Sequence, residues 1–113
     1  RFVVLSYQRS GSNLLCGYLF NHPQITMHNE LFNPVQPLTY RSGLLGPYVH
    51  WERRNRSPAT FLKHIWESSA RPEDIVGFKS FPEHWIEHPE VFRALLEDTD
   101  IAKVVLRREN PVA

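Results

Sequence analysis

The segment QRSGSN, residues 8–13, carries the polar residues most suited to chemistry in this chain, and it lies between two apolar runs. A strand-like run precedes the segment and a helix-like run follows it. Its backbone N–H groups are therefore expected at a helix N-terminus, where unsatisfied donors and the helix dipole favour an anion. Gly11 permits a tight turn and Arg9 supplies a fixed cation. The other polar donors of the segment are Ser10, Ser12 and Asn13.

This pattern predicts a cradle for a phosphate or sulfate group. The alternative is an ordinary turn from strand to helix in which Ser12 is the N-cap. A Walker A loop for ATP is not predicted, because the segment has one glycine and no lysine followed by Ser or Thr.

Charged residues also follow the other predicted strands. Glu30 follows the second strand, Lys79 ends the third, and Arg107 and Arg108 end the fourth. The carboxyl ends of parallel strands meet at one edge of a sheet, so these residues are expected near the Arg9 segment. One carboxylate facing several cations beside an anion cradle predicts transfer of an anionic group, with Glu30 as the base. Taken singly, Glu30 could be a solvated loop residue and the two arginines could cap a strand end.

Strand and helix patterns alternate along the chain, which predicts an α/β fold with a parallel sheet and helices on both faces. The predicted strands are FVVLSY, ITMH, DIVGFKSF and DIAKVVLRR, and the predicted helices are SNLLCGYLFNHP, SPATFLKHIWESSA and PEVFRALLED. Ser57 and Pro58 are expected as the N-cap and first residue of the second helix. The expected buried helix positions are Phe61, Leu62, Ile65, Trp66, Val91, Phe92, Leu95 and Leu96. Residues 33–56 contain several prolines and glycines and are interpreted as a long loop or insertion with at most short helical pieces.

The length and composition of the chain limit the number of domains and the kinds of function it can have. The 113 residues are 42% apolar and suit one domain. The chain begins at Arg1 directly before a strand and ends just after another, so residues 1–113 are expected to be a single, incomplete domain, truncated on its C-terminal side.

With 13 Lys and Arg against 12 Asp and Glu, the net charge of +1 argues against a general nucleic-acid binder. A lone Cys16 excludes an internal disulfide, and its apolar neighbours predict that it is buried. Neither a membrane-spanning run nor a signal peptide is visible, and a cytoplasmic location is expected.

The motifs together resemble the sulfotransferases that use 3′-phosphoadenosine 5′-phosphosulfate. YQRSGSNLL is similar to their 5′-phosphosulfate loop, and VVLRRENPVA is similar to the start of their 3′-phosphate segment. HPQITMHNELFNP and VGFKSFPEHW resemble the bacterial branch that acts on carbohydrates and nodulation factors. The resemblance covers nearly the whole chain and implies the three-layer, P-loop-like α/β fold of that family.

The resemblance also implies roles for individual residues. Arg9 would contact the bridging and sulfuryl oxygens of the donor, and Lys79 would face the sulfuryl group. Glu30 would be the catalytic base, because Phe81 stands where the phenol and steroid branch has a histidine. The remaining donor-binding residues would be Ser10, Gly11, Ser12 and Asn13 at the 5′-phosphate and Arg107 or Arg108 at the 3′-phosphate. The acceptor would be a small molecule or glycan, no metal would be required, and the 113-residue piece alone is expected to be inactive.

Three alternatives accompany this interpretation. HWIEH, residues 84–88, matches a zinc-protease pattern, but prolines on both sides leave too short a helix to bring both histidines to one metal. Arg53, Arg54 and Arg56 are interpreted as a solvated loop that could receive an anionic or sugar acceptor together with the neighbouring aromatic residues. The alternative in a different functional class is a non-catalytic nucleotide-binding or interaction domain of the same fold.

Overall fold

The structure is a computed structural model that describes residues 1–7, 12–35, 37–39, 42–49 and 51–106, without the side chains of residues 12, 13, 42, 47 and 49. The strands are β1 (Phe2–Ser6), β2 (Ile25–Met27), β3 (Ile75–Ser80) and β4 (Ala102–Leu106). The α-helices are α1 (Ser12–Phe20), α2 (Trp51–Arg56), α3 (Pro58–Glu67) and α4 (Pro89–Glu97). Short 3₁₀ helices span Ser42–Leu44, Gly46–Val49 and Pro82–Trp85.

The strands form one sheet in the order β2-β3-β1-β4, and each neighbouring pair is parallel. This confirms the predicted α/β class with a parallel sheet. β1 is central and almost fully buried, as expected for a continuous apolar run between two neighbouring strands. β4 lies at one edge of the sheet, and its residues are partly or largely exposed.

Helices cover both faces of the sheet, as predicted. Val3 of β1 belongs to a buried cluster with residues of α3 and α4, such as Phe61 and Leu95. Phe2 and Val4 point the other way and pack with Cys16 of α1. The alternation of side chains along β1 therefore separates two apolar layers.

The two helices that follow neighbouring strands cover opposite faces. α1 follows β1 on one face and α4 follows β3 on the other, while β1 and β3 are hydrogen-bonded neighbours. In open parallel sheets, ligands bind outside the carboxyl ends of such a strand pair, at the topological switch point. In this sheet the switch point lies at the residues that follow Ser6 of β1 and Ser80 of β3.

The predicted helix starts and faces are largely confirmed. Ser57 is the N-cap of α3 and Pro58 its first residue, although the Ser57 side chain makes no capping hydrogen bond. Phe61, Leu62 and Ile65 are buried, and Trp66, Val91 and Phe92 pack against the same cluster. The prediction is wrong for Leu96, which is 43% exposed. A neighbouring helix position is rotated by about 100° from Leu95, which carries Leu96 past the narrow face that α4 buries.

The described residues of the segment 33–56 form two 3₁₀ helices and the six-residue helix α2. In the described part of the chain, no helix is long and apolar enough to cross a membrane.

Gly77 in the middle of β3 meets the ring of Phe2, its partner across the β1–β3 register. A Cβ atom at this position would overlap the ring. We expect Gly77→Ala to lower the free energy of unfolding by about 1–3 kcal/mol, measured by urea denaturation, because the ring must move in a packed layer. Gly43→Ala is the control, since nothing lies within 4 Å of its added Cβ. A Gly77→Ala cost no larger than that of the control would contradict the prediction.

Candidate functional site

The backbone ladder between β2 and β3 brings Glu30 beside Lys79. It continues past the end of β2, because the His28 N–H donates to the Gly77 carbonyl at 2.9 Å and the Lys79 N–H donates to the Asn29 carbonyl at 3.0 Å. The Glu30 carbonyl then accepts hydrogen bonds from the N–H groups of Asn33 and Leu38. These bonds fix the chain on both sides of Glu30 and set where its side chain starts.

Glu30 and Lys79 form an ion pair, which brings together two of the residues predicted from the sequence. Glu30 Oε2 lies 3.7 Å from Lys79 Nζ, and the side chains are 17% and 1% exposed. Lys79 Nζ also lies 5.2 Å from the centre of the Phe81 ring. A buried ammonium between a carboxylate and an aromatic face is positioned to stabilise added negative charge.

His84 is the third member of this cluster, and it was not among the predicted site residues. Its Nε2 lies 3.3 Å from Glu30 Oε1. Its Nδ1 accepts a hydrogen bond from the Phe81 backbone N–H at 3.2 Å and lies 3.2 Å from Ser80 Oγ. Because a backbone N–H can only donate, Nδ1 carries the lone pair and Nε2 carries the proton in the neutral ring.

The environment of His84 disfavours the charged form of its ring. Burial lowers the pKa of His84 below the usual value for histidine, and the Glu30 carboxylate opposes this shift only in part. At neutral pH the Nε2–H therefore faces Glu30 as a neutral donor. Nδ1 is not free to take up a proton, because it already accepts the Phe81 N–H.

His28 and Cys16 are two further buried groups near the cluster. His28 is buried, and its Nδ1 lies 2.7 Å from Thr39 Oγ1. Cys16 is buried as predicted, and burial raises the pKa of its thiol, which makes a nucleophilic thiolate unfavourable. The contacts given above join Glu30, Lys79 and His84 into one cluster.

Arg54 corrects the interpretation of the basic run as solvated. It lies on α2 and is 1% exposed, whereas Arg53 and Arg56 on the same helix are exposed. Its Nη1 donates to the carbonyls of Leu31 at 2.9 Å and Asn33 at 2.6 Å. The segment just after Glu30 turns these carbonyls toward α2, and one guanidinium nitrogen of Arg54 donates to both of them.

The two histidines of HWIEH line one small cavity, but their ring nitrogens contact different partners. Nε2 of His84 lies 3.3 Å from Glu30 Oε1. His88 is the N-cap residue of α4, and its Nε2 lies 3.0 Å from Asn55 Oδ1. The described residues contain no group of three or more His, Cys, Asp or Glu side chains arranged to hold a metal ion.

Two cavities flank the 3₁₀ helix that carries His84. One of about 460 Å³ lies at the switch point, between the end of β1, Ser80 and Phe81, and has mostly apolar walls. The other, of about 220 Å³, is also lined mostly by apolar surface, and its lining joins Phe32, Pro34 and Ile86 with Arg54, Glu83, His84, Glu87 and His88. His84 of the cluster thus lines the smaller cavity, and Ser80 and Phe81, which follow Lys79, line the larger one.

Several predicted site residues lie outside the described residues. They are Arg9, Ser10, Gly11, Arg107 and Arg108, together with the side chains of Ser12 and Asn13. Their predicted roles stay predictions. The described chain ends of β1 and β4, from which these residues continue, pair in register from Phe2 with Ala102 to Ser6 with Leu106.

His84 carries a sequence signal that could have identified it. FPEH places a proline at the first position of a short helix and a side-chain acceptor two residues later, where it can accept the N–H of the N-cap residue Phe81. Such a fixed histidine five residues after Lys79 is a candidate neighbour of the strand end. The burial of Arg54 has no comparable local signal.

Comparisons of the chain with protein-family models, with curated proteins and with solved structures find no match.

Proposed function

We propose that the protein containing this chain transfers a sulfuryl group from 3′-phosphoadenosine 5′-phosphosulfate to a hydroxyl of a carbohydrate or glycolipid. The observation that carries the proposal is the position of the Glu30 carboxylate, 3.7 Å from the buried Lys79 ammonium. A proton acceptor and a cation are thereby paired beside the topological switch point. A P-loop-like arrangement of the segment after β1 belongs to the same proposal.

The cluster suits an in-line displacement. Glu30 accepts the proton as the O–H bond of the acceptor breaks, and the freed electron pair forms the new O–S bond. The bond between sulfur and the bridging phosphate oxygen breaks, and its electron pair stays on the phosphate. Lys79, together with the proposed contact from Arg9, stabilises this charge as cations do in phosphoryl transfer.

The smaller cavity, which His84 lines, supports an acceptor that carries hydroxyls. Glu83, Glu87 and Arg54 belong to its lining, beside apolar residues such as Phe32 and Ile86. Carboxylates accept hydrogen bonds from hydroxyls, and a guanidinium donates them, so both polarities of a sugar hydroxyl find partners.

Nucleotide binding tests the donor part of the proposal. The natural protein that carries this chain should be thermally stabilised more by 3′-phosphoadenosine 5′-phosphate than by adenosine 5′-phosphate, because only the former engages both proposed anion sites. ATP with magnesium should have little effect. The stabilisation should weaken as salt is added, because exposed charges contribute to it.

Equal shifts from the two adenosine nucleotides would remove the assignment of Arg107 or Arg108 to a 3′-phosphate. Nucleotide binding without sulfuryl transfer to any sugar hydroxyl would favour the non-catalytic binding domain instead. Transfer of radiolabelled sulfate from the donor to a panel of oligosaccharides and glycolipids separates these outcomes.

A further inference from the structure

The two oxygens of Glu30 have different surroundings. Oε1 lies 3.3 Å from the protonated Nε2 of His84 and accepts a hydrogen bond from Asn33 Nδ2 at 3.4 Å. Among the described residues, the contact of Oε2 is with Lys79 Nζ, at 3.7 Å. A carboxylate offers about four lone-pair positions in all. Oε1 is therefore held by two neutral donors, and Oε2 keeps room for a further partner beside the ammonium.

We propose that His84 is a positioning residue that holds Glu30 through Oε1 and leaves Oε2 to take the proton of the acceptor hydroxyl. This inference rests on the proposed function. The Phe81 N–H fixes the orientation of the His84 ring, and Pro82 fixes the start of the turn that carries it. The chain of contacts runs from backbone to imidazole to carboxylate, so the direction of the base is set by β3 and the turn after it.

Charge explains why a neutral imidazole suits this position. An imidazolium on Oε1 would form a second ion pair with the carboxylate and weaken its ability to accept a proton. Burial disfavours the charged ring, as its lowered pKa indicates. The 3.3 Å contact is long for a hydrogen bond, and contacts of this kind commonly shorten when substrate closes the site.

The tautomer of His84 is the first test, and it needs no activity. Nitrogen-15 NMR of the natural protein labelled on histidine, with His84→Gln used to assign the signal, should show a neutral ring protonated at Nε2 near pH 7. A ring protonated at Nδ1, or an imidazolium at that pH, would overturn the proposal. This measurement stands even if the protein transfers no sulfuryl group.

Kinetics give the second test. His84→Leu should lower kcat by about 10- to 100-fold, because the base is no longer aligned, while KM for the donor stays within about twofold. His84→Gln should restore much of the loss, since its amide can donate to Oε1. The double variant of His84→Leu and Glu30→Gln should be no slower than Glu30→Gln alone, because His84 acts through Glu30. His22→Leu, at an exposed histidine, is the control and should leave kcat unchanged.

The outcomes separate the two proposals. Normal kcat in His84→Leu would overturn the positioning role while leaving sulfuryl transfer intact. Absence of transfer in the unaltered protein would remove the proposed function, and the NMR result would then decide the orientation of His84 alone. If His84→Leu does not fold, the comparison of His84→Gln with the unaltered protein decides the kinetic test, and a Gln variant as slow as Glu30→Gln would contradict the proposal.

Discussion

Glu30→Gln should lower the turnover of sulfuryl transfer by roughly 10²-fold or more and leave donor affinity almost unchanged. Glutamine has nearly the same size and can still accept a hydrogen bond from His84 at one atom, but it cannot take up the acceptor proton. The measurement is kcat with a hydroxyl acceptor, alongside the Kd of 3′-phosphoadenosine 5′-phosphate by calorimetry. Glu90→Gln, at an exposed carboxylate on α4, is the matched control.

Arg9→Ala provides a contrast within the same experiment. The proposed Arg9 contact exists with the bound donor and in the transition state, so its loss should reduce both donor affinity and rate. Near-normal turnover of Glu30→Gln would show that another group takes the proton. A large loss of donor affinity in Glu30→Gln would show that the carboxylate organises the donor site instead.

Arg54→Met should destabilise the protein by about 2–4 kcal/mol, because the carbonyls of Leu31, in a buried contact, and Asn33, in a partly buried one, both lose their donor. Methionine keeps much of the apolar stem, so the change tests the guanidinium more than its volume. Urea denaturation gives the free energy of unfolding. Arg53→Met, at the exposed neighbour on α2, should change it by less than about 0.5 kcal/mol.

Arg54→Lys distinguishes charge from geometry. A single ammonium cannot reproduce the contacts of Nη1 with two carbonyls and of Nε with Asn55 Oδ1. It should therefore recover only part of the lost stability. If Arg54→Met and Arg53→Met lower the free energy of unfolding equally, water must replace the Arg54 guanidinium at no cost. That result would contradict the prediction.

The sheet and the proximity of Glu30 and Lys79 could be predicted from the sequence. Both depend on local sequence patterns and on general rules of sheet topology. The apolar run of β1 and the prolines that begin α3 and α4 define elements locally, and parallel strands bring their carboxyl ends together. Alternating strands and helices thus predicted that Glu30 and Lys79 would meet. The ion pair needed no knowledge of side-chain packing.

The parts that sequence analysis missed depend on contacts between distant segments. Arg54 is buried because a segment 21 to 23 residues earlier presents two carbonyls to α2. A run of three arginines in six residues has the composition of a solvated surface, and nothing local distinguishes the middle one. The contact of His84 with Glu30 likewise depends on the rotation of one 3₁₀ turn. The exposed Leu96 shows the same limit, because periodicity gives the centre of a helix face better than its width.

The hydrogen bonds of Arg54 join α2 to the segment after Glu30. We therefore expect these two segments to open together when the protein unfolds locally. When α2 lifts away, the carbonyls of Leu31 and Asn33 lose their donor at the same moment, while the sheet keeps its own ladders. Such an opening costs less free energy than global unfolding. Amide hydrogens in residues 31–33 and in α2 should then exchange at similar rates, faster than those of β1. On warming, the proposed base Glu30 would lose its fixed position before the sheet melts, so the proposed activity should be lost at a lower temperature than the strand structure.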